Sequence, residues 1–72
     1  MTKKNSKIGL KIKLERTKLG ISQEELGNRA RLNKNTIGLI ERGEQSPSFD
    51  TMEAIATAFG MTVQELCNFD NI

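Results

Sequence analysis

Five side chains in the middle of this 72-residue chain could converge on one ligand: Gln23, the run Lys34-Asn35-Thr36, and Arg42. They offer two amides, an ammonium, a hydroxyl and a guanidinium. A lysine can donate to guanine O6 and N7, and an asparagine can pair bidentately with adenine N6 and N7. A glutamine amide at a helix start can bond a phosphate toward which the helical N–H groups also point. Thr36 can bond a phosphate or touch a thymine methyl, and Arg42 can hold a phosphate. Gly38 would let backbone approach a nucleic acid closely, and Leu39 either meets a methyl group or joins the core. Catalysis has little support: there is no histidine and no glycine-rich phosphate loop, and the neighbouring Glu24 and Glu25 diverge on a helix rather than forming a carboxylate pair.

Two short helices joined by a tight turn would position these groups. Ser22 is an N-cap with Glu25 three residues on, the pattern of a capping box. Asn33 is a second N-cap, with Thr36 three residues on; its own side chain or backbone could also reach phosphate. Leu26, Ala30, Ile37 and Ile40 can all face one core. These signals place helix 2 at about 22–29 and helix 3 at about 34–42. The short link Ala30-Arg31-Leu32-Asn33 forces the two to cross steeply. This is helix-turn-helix geometry, in which the second helix offers its first turn to the DNA major groove.

The remaining chain supplies a frame. Residues 1–7 read as a flexible basic arm, residues 8–69 as the domain and residues 70–72 as a frayed tail. Helix 1 spans 8–19, with Ile8, Ile12, Leu19 and the stem of Arg16 forming a stripe, and Leu10 and Leu14 expected to be partly in the core. Gly20 ends it and Ile21 precedes the Ser22 cap. The segment Gly43-Glu44-Gln45-Ser46-Pro47 is a loop. Helix 4 begins near Ser48, with the stripe Phe49, Met52, Ile55, Ala56 and Phe59, and ends at Gly60. Thr62 and Glu65 form another capping box, opening a helix 5 with Val63, Leu66 and Phe69 apolar. The fold class is therefore all-α, and no strand alternation competes.

Charge is distributed along a gradient. Residues 1–18 carry seven basic side chains and one acidic, residues 19–43 four basic and three acidic, and residues 44–72 five acidic and none basic. One end is thus suited to meet a polyanion and the other is not. A single cysteine excludes an internal disulfide, and with no histidine a Cys/His zinc site is excluded. No metal or other cofactor is expected. No apolar run approaches a membrane span, and lysines interrupt the first apolar stretch, so neither a membrane nor a secretory signal is expected. The expectation is a cytoplasmic protein.

The ordered set Arg16-Thr-Lys-Leu-Gly20-Ile-Ser-Gln-Glu-Glu-Leu26, Thr36-Ile-Gly-Leu-Ile-Glu-Arg-Gly43, Pro47-Ser48, Ile55-Ala-Thr-Ala-Phe-Gly60 and Val63-Gln-Glu-Leu66 resembles the lambda-repressor-like helix-turn-helix family. The likeness is to its phage Cro/repressor domains and restriction-modification controller proteins, and it covers most of the chain from Ile8 to Leu66. The resemblance implies a compact five-helix domain that binds palindromic operators as a dimer. It implies DNA contacts at Gln23, Lys34, Asn35 and Arg42. It also implies a salt bridge between Arg16 and Glu41 that fixes helix 3. The family often has an apolar residue where this chain has Glu15, so helix 1 departs from the pattern.

The resulting reading is a sequence-specific transcriptional regulator, repressor or activator, that binds double-stranded DNA as a homodimer and takes no small-molecule ligand. Its dimer contact is assigned to Met61, Val63, Cys67 and Phe69, more apolar than a monomer needs. Glu24 and Glu25 are candidates to touch RNA polymerase, although helix capping alone accounts for them. The alternative is a protein-interaction module, such as an antitoxin or developmental regulator, favoured by Leu10, Leu14 and Phe69 if they are exposed.

Overall fold

The computed structural model describes residues 6–70. Five helices follow one another: α1 (Ser6–Leu19), α2 (Gln23–Ala30), α3 (Lys34–Glu41), α4 (Phe49–Ala58) and α5 (Val63–Leu66). Among the described residues there is no strand. The core is built from Ile8 and Ile12 of α1, Leu26 and Ala30 of α2, Ile37 and Ile40 of α3, Ile55 and Ala56 of α4, and Leu66 of α5. Every helix thus gives its apolar side to one common centre, and α3 is held between α1 and α2.

Capping sets the helix starts. Ser22, Ser48 and Thr62 accept from the backbone N–H three residues on, at 3.0, 3.1 and 3.1 Å. At Thr62 the box is complete, because Glu65 accepts in turn from the Thr62 N–H at 2.9 Å. The expected box at Ser22 is only half made: the Glu25 carboxylate turns outward to Arg29 Nε at 2.9 Å, one helical turn along. Asn33 accepts from the Asn35 N–H at 2.7 Å rather than from Thr36.

The turn between α2 and α3 has two causes that the sequence reading did not single out. Arg31 adopts the left-handed conformation, φ 59° and ψ 41°, where a side chain is disfavoured. It does so because the Leu32 N–H must close onto the Gly27 carbonyl, at 2.7 Å. A Cβ on Gly27 would sit 2.6 Å from the Leu32 carbonyl oxygen, so only glycine permits that closure. The second close approach is at Gly9, where a Cβ would collide with the carbonyl oxygens of Ile40 and Glu41. Helix α1 therefore lies directly on the end of α3.

Several placements differ from the sequence reading. The first helix begins at Ser6, so the end of the expected arm is helical; residues 1–5 of that arm, and residues 71–72 of the expected tail, lie outside the described residues. Leu19 is 50% exposed, because α1 ends there and Ile21, past the Gly20 turn, packs on the core instead. Leu10 and Leu14 are exposed, on the face of α1 turned away from α3. Phe49 is 60% exposed: as the first residue of α4 it precedes the turn that reaches the core. Helix α5 is a single turn, which leaves Phe69 beyond its end although still packed against the core.

Candidate nucleic-acid interface

Gln23 is the first residue of α2, and Lys34 and Asn35 open α3. The short turn between these helices brings both N-terminal ends to one side of the molecule. There Gln23, Lys34, Asn35, Gly38, Leu39 and Arg42 line a shallow cleft of about 240 Å³. Lys34 and Asn35 are exposed, and among the described residues their side chains make no hydrogen bond, so their donors are available to a ligand. Leu39 is half-buried and gives the cleft an apolar lining residue.

Beneath this cleft runs a network anchored on Glu41, whose side chain is 2% exposed. Arg16 donates through Nε to Oε2 at 2.7 Å and through Nη2 to Oε1 at 3.1 Å. Its remaining nitrogen, Nη1, donates to the Ile21 carbonyl at 2.8 Å, tying down the residue before the α2 cap. Gln23 Nε2 donates to Glu41 Oε1 at 3.0 Å. A carboxylate only accepts, so the amide nitrogen of Gln23 must face inward. One N–H of Gln23 is spent on Glu41, and the other N–H and the carbonyl oxygen remain for the cleft. The ion pair and the cleft are one structure, a link that neither residue's sequence context reveals.

Local partners set the placement of the other candidates. Asn33 spends its side-chain oxygen on the cap, and Thr36 is half-buried outside the cleft lining. Arg42 does not reach away from the end of α3: its Nε pairs with Glu44 at 3.1 Å, and its Nη1 lies back over Gly38. Glu24 is exposed with no ion pair among the described residues, whereas Glu25 is engaged with Arg29. Glu15 is neutralised by Lys11 and Lys18, which explains how helix 1 accommodates it. Met61, Val63 and Cys67, together with Phe49, line a largely apolar groove of about 460 Å³ between α4 and α5; Phe69 is not part of it. Among the described residues no helix is long and apolar enough to cross a membrane.

Residues 12–66 match the model of the helix-turn-helix family, and the chain belongs to that family. This makes it a helix-turn-helix DNA-binding protein, and the relatives it matches are named as transcriptional repressors and regulators. It is similar to the cryptic phage CTXphi transcriptional repressor RstR of Vibrio cholerae, 38% identical over 56 residues, or 78% of this chain and 50% of that protein. The chain thus spans half the length of that repressor. The fold superposes on the restriction-modification controller protein C.AhdI of Aeromonas hydrophila with a TM-score of 0.82 and 33% identity, covering 85% of this chain and 92% of that one. It superposes likewise on the DNA-binding domain of the P22 c2 repressor, with a TM-score of 0.79 and 27% identity, covering 92% and 84%.

Proposed function

We propose that the chain binds a specific palindromic DNA operator as a homodimer, with α3 in the major groove. The observation that carries this reading is the single cleft lined by Gln23, Lys34, Asn35, Gly38, Leu39 and Arg42. Lys34 and Asn35 read base edges, and Leu39 meets a thymine methyl. Gln23 and Arg42 bind the sugar-phosphate backbone, which supplies affinity and makes it salt-dependent. Thr36 and Asn33 border this surface and contribute through helix α3's first turn.

The dimer forms through the groove of Met61, Val63 and Cys67, with Phe49 as its exposed edge and Phe69 alongside. Charge supports this orientation, since the residues after Arg42 carry acidic side chains and no basic ones, which suits a face turned away from DNA. Size is compatible: the domain is 32 Å in its longest dimension, and two half-sites on one duplex face are roughly 34 Å apart. Control is then by protein concentration through dimer formation, as a repressor in the manner of the phage relatives. An activating contact with RNA polymerase would use Glu24, the acidic residue of helix α2 left free.

Selection of bound sequences from a random DNA pool tests the reading, with Lys34→Ala and Asn35→Ala run in parallel. A palindrome whose bases change at defined positions in the two variants is expected. Enrichment of no motif by the wild-type chain would leave the protein-interaction reading, for which exposed Leu10 and Leu14 supply the surface.

A further inference from the structure

Helix α1 has a second face. Ile8 and Ile12 fill the core, while Gly9 and Arg16 turn to the end of α3. At about 3.6 residues per turn, the side opposite Ile12 carries Lys7, Leu10, Leu14 and Thr17. They succeed one another at steps of three, four and three residues, the spacing of a coiled-coil seam. Leu10 and Leu14 are 45% and 38% exposed. Thr17 donates its hydroxyl to the Lys13 carbonyl at 2.7 Å, so covering it strands no donor.

The flanks decide what can cover this seam. With Lys7 and Leu14 at heptad positions a, and Leu10 and Thr17 at d, the flanking e and g positions are Lys11, Lys13 and Lys18, all lysine. Glu15 lies behind the seam and takes Lys11 at 3.5 Å and Lys18 at 3.3 Å. Its single charge against these lysines leaves the strip basic. Lys7 and Lys13 are exposed, with no ion pair among the described residues. DNA does not account for the strip, because Leu10 and Leu14 face away from α3 and a phosphate backbone offers leucines no apolar partner.

We propose that this strip of α1 docks an acidic amphipathic helix of a partner protein, with apolar residues at its own seam and Asp or Glu at its e and g positions. Charge complementarity selects that occupant: carboxylates would lie across from Lys11, Lys13 and Lys18, and the two leucines would fix the register. The α1 of a second copy is disfavoured, since it would set lysine against lysine. An anionic membrane is disfavoured too, since two leucines give little apolar area to insert. The contact is only two heptads long, so it is reversible and salt-sensitive. The strip shares no residue with the cleft of Gln23 and Lys34, so the proposal does not depend on the operator reading.

The test titrates the full, isotope-labelled chain with a synthetic helical peptide of about three heptads, leucine at a and d and glutamate at every e and g. Amide resonances of α1 should shift, and those of the cleft should not. Leu10→Ala combined with Leu14→Ala should keep the melting temperature, since both residues are exposed, and lose about tenfold in affinity. Lys13→Glu should lose about threefold at low salt. The same peptide with lysine at e and g should not bind. No shift on α1, equal binding of the lysine peptide, or an unchanged affinity in the leucine variant would overturn the proposal. Flotation with phosphatidylserine vesicles that the leucine variant loses would overturn it in favour of a membrane. Self-association lost in that variant would overturn it in favour of a second copy.

Discussion

Removing Arg16 should damage the fold more than removing Glu41, although the two form one ion pair. The reason lies in their unequal burial. The Glu41 side chain is 2% exposed and that of Arg16 is 15% exposed. In Arg16→Ala, the Glu41 carboxylate stays buried and loses two of its three donors, keeping only Gln23 Nε2. Stranding a buried charge in this way costs about 3–5 kcal/mol. In Glu41→Ala, the guanidinium keeps the Ile21 carbonyl and has some access to water, so a cost nearer 2–3 kcal/mol is expected. A chain of this length has a total stability of roughly 4–11 kcal/mol, so Arg16→Ala would consume much of it. Urea unfolding followed by circular dichroism measures both, and a loss of 3 kcal/mol corresponds to a melting temperature lowered by roughly 12–24 °C. Replacing both partners by apolar residues, as in Arg16→Met with Glu41→Leu, should recover most of the loss, because no charge is then stranded. An Arg16→Ala loss within about 1 kcal/mol, the margin of exposed pairs, or a larger loss for Glu41→Ala, would refute a buried, stranded carboxylate at Glu41.

Three shorter predictions concern residues around the same frame. Gly9→Ala should destabilise by about 2–3 kcal/mol in the same assay, since its methyl group would force α1 away from the Ile40 and Glu41 carbonyls, which are backbone and cannot yield. Arg31→Gly should stabilise by about 1 kcal/mol by removing the left-handed penalty, with no change in operator sequence on selection; a lower melting temperature would show that the Arg31 side chain contributes more than its backbone costs. Glu44→Gln should tighten operator binding by a few-fold at low salt, because an exposed carboxylate now competes with phosphate for Arg42, and the gain should fade as salt is raised. Fluorescence anisotropy across a salt series reads this directly, and equal affinities at low salt would count against the competition.

Much of the architecture was legible in local chemistry. The caps Ser22, Asn33, Ser48 and Thr62 and the glycines at 20, 43 and 60, all with positive φ, mark helix boundaries using only neighbouring residues. Side chains of periodicity, such as Leu26 with Ala30 and Ile37 with Ile40, were readable for the same reason. Periodicity failed where a helix is longer than the surface it packs on: Leu19 and Phe49 keep the correct spacing but project past the core. The turn at Arg31 was invisible because the residue type argues against the conformation it adopts, and only closure onto Gly27 imposes it.

The cleft divides along the same line. The sequence by itself determined the class of side chain at 23, 34, 35 and 42, the helix that carries each, and the charge gradient along the chain, because these depend on residue type and short-range spacing. Tertiary structure alone decided that Glu41 binds Gln23 as well as Arg16, and that Gly9 seats α1 on the end of α3. Each of these joins residues from different helices. Such contacts follow from how closely two helices approach, and at α1 and α3 that distance is set by the missing Cβ atom at Gly9 only once the packed neighbours are in place.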